Sequence, residues 1–389
     1  MTQTTTAPAR TAAAHWGTLW AMVLARAAFG YQLQTVASLG PTLNARLGIE
    51  FALLGTLMGL MQLPGVFGAI PTGFLARRFG DRASIVGGMM LMVVGGLVSA
   101  GASGPFGIGV GRVVAGFGAL ALTVLQPKAV ADRFAGKDFT LAMGILIGAF
   151  PIGIGLGQIT HTRLAVMFGW PATFVASSVF AGIALVLLMA TWRDVSGATS
   201  RAMHWPSRHE TWLLILSGLV WTAFNAGYFN FLGWLPTVIA GRGHPSWVAD
   251  VAMGLATWGS LPMMMLGGAL AGRIGMVPVF IVGTVAEVIA VGGMGVADWP
   301  LVWGLLFGTL GIMHAGLIVG LGAMSARPEN RAVGLGIFYT TYYVGGTVTP
   351  MVCGAAAQWM GDASGAFLCA AVLTAAALPF WWLHRRLSK

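Results

Sequence analysis

Charge is the scarcest thing in this chain. Only 8% of its 389 residues are Asp, Glu, Lys or Arg, and just 11 are acidic. A soluble globule of that length covers its surface with far more polar side chains; 57% apolar residues and a mean hydropathy of +0.81 exclude one. Cysteine is nearly missing too. Cys353 and Cys369 both lie in apolar runs, where they read as small core residues rather than as a disulfide framework. No metal-ligand cluster, Walker loop or dinucleotide turn occurs, so the sequence calls for no metal, no cofactor and no enzymatic centre.

What the chain has instead is long hydrophobic runs. A membrane-crossing helix needs about 20 consecutive, mostly apolar residues. Twelve such spans can be marked, over 16–39, 51–76, 83–102, 105–125, 139–158, 170–191, 212–238, 248–271, 277–297, 300–323, 332–357 and 365–383. The 58 glycines suit a bilayer, where neighbouring helices re-satisfy backbone groups that glycine and proline loosen. Residues 1–15 are polar and the run after them is too long for a secretory h-region, so a retained first span is expected.

Lys and Arg set the expected orientation. With the N-terminus inside, sixteen fall on that side: Arg10, Arg77, Arg78, Arg82, Lys128, Arg133, Lys137, Arg193, Arg201, Arg208, Arg273, Arg327, Arg331, Arg385, Arg386 and Lys389. Three, Arg46, Arg163 and Arg242, fall outside. The positive-inside rule then puts both termini in the cytoplasm of a multi-pass protein of the bacterial inner membrane. The net charge of +10 is thus a topology signal; its scatter over short loops, without interleaved aromatics, argues against nucleic acid as a partner.

The chain also repeats itself. An offset of 195 residues aligns Met58-Gly59-Leu60 with Met253-Gly254-Leu255, Gly73 with Gly268, Leu75-Ala76 with Leu270-Ala271, Arg78 with Arg273 and Gly80 with Gly275. It also matches Pro41 to Pro236 and Gly116 to Gly311. One offset serving several helices predicts two halves, 1–193 and 211–389, each of six helices, joined by a polar cytoplasmic linker over 194–210.

Four charges crowd the stretch GFLARRFGDR, from Gly73 to Arg82, between spans two and three. That stretch resembles the signature loop of the major facilitator superfamily, roughly Gly-x-Leu-Ala-Asp-Arg-x-Gly-Arg-Arg, and GALAGRIG at 268–275 resembles a degenerate second copy. Arg112-Val-Val-Ala-Gly116 is similar to the superfamily's Arg-x-x-x-Gly pattern in helix four, and Gly144, Gly148, Pro151 and Gly153 are loosely similar to its fifth-helix motif. The resemblance covers the whole chain. It implies an all-α integral membrane fold of 12 transmembrane helices in two pseudo-symmetric six-helix bundles, working as a secondary transporter that rocks around a midplane site.

The resemblance further implies that the loop charges latch the halves when the carrier faces outward. Its residues here are Gly73, Arg77, Arg78, Gly80, Asp81 and Arg82, with Asp132 and Arg133 at the end of span four and Arg273 in the second copy. Arg77 occupies the place of the usual acid, and Asp81 or Asp132 are candidates to replace it.

Charge inside the membrane indicates what is carried. An arginine at mid-bilayer costs about 2.5–3.5 kcal/mol on insertion scales, and Arg26 and Arg112 both lie in spans that line the cavity in this superfamily. The acid deep within a span, Glu287, belongs to span nine, among the supporting helices. Two arginines without a cavity carboxylate predict a positive site for a small organic or inorganic anion. Arg26, Gly30 and Gln34 share one helical face, and the offset maps them onto Trp221, Asn225 and Phe229. Substrate-binding candidates are therefore Arg26, Tyr31, Gln34, Arg112, Asn225, Tyr228, His314, Tyr339 and Tyr342.

His314 and Glu287 are separate candidates for coupling to protons. The carboxylate that related anion/proton symporters add in helix four is replaced here by Ala119. Exchange for a counter-anion and passive flux remain open. Within the superfamily the chain is most similar to cyanate/nitroimidazole-type carriers or anion:cation symporters. A multidrug exporter and a non-transporting sensor or scaffold are the other readings. A monomer in the lipid bilayer is expected.

Overall fold

The computed structural model describes residues 7–134, 136–192, 205–327 and 330–388. Among these the chain is helical, without a strand. The first half runs through α1 (Ala7–Ser38), α2 (Gly40–Leu47), α3 (Phe51–Gly59), α4 (Leu63–Phe79), α5 (Asp81–Ala100), α6 (Pro105–Ala131), α7 (Gly136–Phe168) and α8 (Pro171–Thr191). The second runs through α9 (Arg208–Gly241), α10 (Ser246–Trp258), α11 (Ser260–Ile274), α12 (Met276–Val296) and α13 (Pro300–Leu306), then a π-helical turn (Phe307–Gly311). It closes with α14 (Ala315–Met324), α15 (Arg331–Met360), α16 (Ser364–Ala375) and α17 (Ala377–Leu387).

The twelve expected spans are these helices, with differences that have local causes. Spans two, eight, ten and twelve are each broken: at residues 60–62, at Gly259, around the π turn, and at Ala376. A short helix, α2, lies between spans one and two. Most of linker 194–210 falls outside the described residues. Its described end starts α9 with a capping box, in which the Ser207 side chain accepts from Glu210 N–H and the Glu210 carboxylate accepts from Ser207 N–H. Proline at the first turn opens α6, α8 and α13, where its missing N–H deprives no carbonyl of a partner.

Nine helical stretches among the described residues are long and apolar enough to cross a bilayer on composition alone. The three spans beyond those nine are α1, the α10–α11 pair and α15. α1 carries Arg26, Gln32 and Gln34; α15 carries Tyr339, Tyr342 and Tyr343 with several threonines; α10 and α11 are parted at Gly259. All three meet the other half of the molecule, so protein rather than lipid covers their polar side chains: α1 against α9, α10 against α7, α15 against α3 and α4.

The repeat is visible in the backbone. α3 begins at Phe51 and α10 at Ser246, α4 ends at Phe79 and α11 at Ile274, and α6 and α13 open on Pro105 and Pro300, each pair 195 residues apart. Gly80 and Gly275 end the paired helices with φ of 84° and 91° and extended ψ. That region is nearly closed to residues with a Cβ. Each copy of the signature loop thus turns on its glycine.

Candidate functional site

Contacts between the halves concentrate on the face away from the termini. A Cβ on Gly55 would strike the Pro350 carbonyl, one on Gly59 the Thr347 carbonyl, and one on Gly40 the Thr237 hydroxyl, so small residues let helices of opposite halves touch. Polar bonds reinforce this closure. Gln158 Nε2 donates to Asp250 at 3.4 Å, Arg163 lies 3.6 Å from the same carboxylate, Gln34 Nε2 donates to the Leu232 carbonyl at 3.4 Å, and Gln358 Nε2 donates to Glu50 at 2.9 Å. Among the described residues Arg163–Asp250 is the one ion pair that joins the halves.

Beneath this closure lies a cavity of about 30 Å³, room for a water or two. Gln34, Gln62, Arg112, Phe229 and Pro350 line it, drawn from both halves. Arg112 is 2% exposed, and its guanidinium donates to the carbonyls of Leu57, Met58, Gln32 and Leu33 at 3.0–3.3 Å. Its donors tie helix six to the broken second span and to α1. The charge borders the cavity while the hydrogen bonds point into backbone.

Arg26 stands in a different setting, two turns along α1 from Gln34 toward the terminal face. Its Nη1 donates to Thr123 Oγ1 at a long 3.4 Å, and its buried Nε has no partner. Among the described residues no carboxylate lies within ion-pair distance of it. The guanidinium sits 5.7 Å from the Phe29 ring and 5.5 Å from the Phe150 ring. Tyr339, Tyr342 and Tyr343 of α15 lie within its electrostatic reach. These three tyrosines form an apolar cluster with Ala69, Leu120, Trp221 and Phe229, so four helices from both halves converge there. Gln62 Nε2 donates to the Tyr342 hydroxyl at 3.1 Å, joining this cluster to the cavity.

The remaining candidates go elsewhere. Tyr31 faces the inside of the first bundle, where its hydroxyl accepts from Thr160 at 2.8 Å and its ring meets His161 and Phe180. Gly30, on the face proposed for substrate, is pressed against the α7 backbone at Phe150. Tyr228 packs on Phe224, Phe229 and Phe307. Asn225 is buried and donates to the Trp221 carbonyl of its own helix at 2.7 Å. His314 meets Glu287, Nε2 to Oε2 at 3.6 Å, deep in the second bundle and apart from Arg26.

The signature loop holds to its own half. Lys128 bridges Asp81 at 2.5 Å and Asp132 at 3.1 Å, and Arg82 donates to the Met189 carbonyl at 3.2 Å. Arg77, Arg78 and Arg273 are exposed, Gly73 is partly covered, and Arg133 lies 4.3 Å from the Trp192 ring.

Several contributors escape the sequence reading. Asp250, the third residue of the eighth span, sits at a position easily taken for a helix end. Gln62 and Gln158 are polar residues in apolar runs, a signal as strong as that of Gln34. Thr123 and Phe150 carry no such mark.

The family model described as Major Facilitator Superfamily matches residues 21–254, well over half of the chain. The chain belongs to the Major Facilitator Superfamily. Its members are transporters, not enzymes, and this chain is a multi-pass membrane transporter. It is 26% identical over 353 residues to the inner membrane transport protein YajR of Escherichia coli, covering 84% of this chain and 74% of that one. It is 28% identical over 291 residues to the 2-nitroimidazole transporter of the same organism, covering 67% and 68%. In fold it is similar to the inward-open structure of the xylose transporter XylE from E. coli, with a TM-score of 0.76, 15% identity and coverage of 94% and 95%. That likeness shows the Major Facilitator Superfamily fold.

Proposed function

We propose that this carrier moves a small anion by alternating access, with Arg26 as the anchor and the halves 1–193 and 211–389 rocking about it. The observation behind this reading is Arg26 itself: a guanidinium at membrane depth, at the junction of the two halves, with an unpartnered Nε and a single long hydrogen bond. A buried charge left in that condition is expensive, and a substrate carboxylate or similar anion supplies both the missing charge and the missing acceptors. The rings of Phe29, Phe150, Trp221, Phe229 and the α15 tyrosines favour an organic anion with a flat apolar body over a small inorganic one.

The positive-inside distribution assigns the terminal face to the cytoplasm of a bacterial inner membrane, so the closed face is the outer one. Asp81, Arg82 and Asp132, engaged within their own half, suit that state. Arg112 serves as a strut for helix six, and its charge adds to the positive potential of the cavity. The same aromatic cluster supports a second reading, export of an apolar drug-like compound. Thermal shift of the purified protein over a panel of carboxylates, inorganic anions and apolar cations separates the two. Stabilisation by flat carboxylates that disappears in Arg26→Ala supports the anion reading; stabilisation by apolar cations alone supports the exporter.

A further inference from the structure

Glu287 of α12 and His314, at the start of α14, are each completely buried. Both carboxylate oxygens and both ring nitrogens lack a hydrogen-bond partner, although Nε2 and Oε2 stand only 3.6 Å apart. Their surroundings offer no other charge. From α9 the pair meets Phe224, whose ring lies edge-on to the imidazole at 5.2 Å, and Gly227, where a Cβ would strike the Glu287 carboxylate. From α12 come Phe280, at 5.5 Å from the imidazole, and Gly283. From α16 comes Thr374, whose hydroxyl donates to the Ala370 carbonyl at 2.8 Å; behind them Trp381 of α17 stacks on Phe280. Tyr228, next to Gly227 in sequence, is the nearest titratable side chain along α9, and its ring packs on Phe307. Among the described residues neither member has a second ion-pair partner, and no third His, Cys, Asp or Glu joins them to hold a metal ion.

We propose that Glu287 and His314 form one site that binds a single proton. With no proton to share, the pair is a carboxylate beside a neutral imidazole, a buried anion whose one neighbouring donor is the imidazole N–H, 3.6 Å away at best. One proton taken from water removes that charge: held as a carboxylic O–H it donates to the imidazole nitrogen and leaves two neutral groups, the form that complete burial favours over an imidazolium beside a carboxylate. A second proton would leave an uncompensated cation, so the site stops at one. Its seat is also a place where the helix is irregular. The π turn Phe307–Gly311 and the irregular residues after it run directly into His314, and Gly311 lies against the Glu287 backbone. Such turns recur where helices carry function. Coupling of this proton to anion movement rests on the transport reading above; the site itself does not.

Infrared difference spectroscopy between acid and alkaline pH, on full-length protein in lipid nanodiscs without any anion substrate, tests it. The wild type is expected to show a protonated-carboxyl band, slow to exchange in D2O. Glu287→Gln should lose the band and His314→Gln should shift it, with thermal melting as the check on folding. Absence of the band in the wild type overturns the proposal, as does its survival in Glu287→Gln. A band that responds to sodium but not to pH overturns it too. Should Glu287→Gln fail to fold, the wild-type titration and the His314→Gln shift still decide. Because no anion is present, failure here leaves the anion reading intact, and failure of the anion panel leaves this site intact.

Discussion

Two arginines of one sequence pattern separate at the level of the residue. Arg112 and Arg26 are both membrane arginines of cavity-lining spans, yet one has its donors in backbone carbonyls and the other has almost none engaged. Each carbonyl deserted in Arg112→Ala costs about 1–3 kcal/mol if nothing replaces its donor. Arg112→Ala is therefore expected to lower the melting temperature in detergent sharply. Arg26→Ala deletes a poorly partnered charge and should leave the melting temperature unchanged or raise it. Equal, large losses in both would mean that Arg26 is as structural as Arg112. The sequence could not draw this line, because the carbonyls that hold Arg112 belong to a break in the second span and to α1, which only the assembled bundle brings together.

At the scale of the element, helix boundaries carry the argument. Gly80 and Gly275 both turn with φ near 90°, and Gly80→Ala or Gly275→Ala is expected to cost about 1–3 kcal/mol of stability. Gly87, in mid-helix with open space around it, provides the contrast, and Gly87→Ala should be neutral to stabilising, by up to about 1 kcal/mol. Denaturation midpoints of the three variants check this; equal midpoints would contradict it. Gly80 and Gly275 were legible in advance as partners in the 195-residue repeat, and so were the spans, since period and hydropathy are local properties. The breaks at residues 60–62, at Gly259 and beside His314 were not. The first depends on a neighbouring helix, since Arg112 of α6 takes up the carbonyls of Leu57 and Met58. Tyr31 was misplaced for a related reason: it lies a single residue from Gly30 on α1, and without the neighbours the register does not say which face meets α7 and α8 and which meets the other half.

On the scale of the whole molecule, the face away from the termini is closed by small residues and by two carboxylates, Asp250 and Glu50. Asp250 receives Gln158 and Arg163 from the opposite half, so Asp250→Asn weakens the one cross-half ion pair among the described residues while preserving shape. With spin labels at the exposed positions 46 and 247, the variant is expected to gain a population of longer distances; an unchanged distribution would show that helix packing alone sets the closure. The central claim, that Arg26 anchors an anion between the halves, is tested most directly by uptake of radiolabelled flat carboxylates into proteoliposomes. The account predicts saturable uptake by the wild type, none by Arg26→Ala, and partial recovery in Arg26→Lys, because a point charge reproduces the attraction but not the two-pronged geometry of a guanidinium. Carboxylate uptake that is undiminished in folded Arg26→Ala, or flux of apolar cations alone through the wild type, would contradict it.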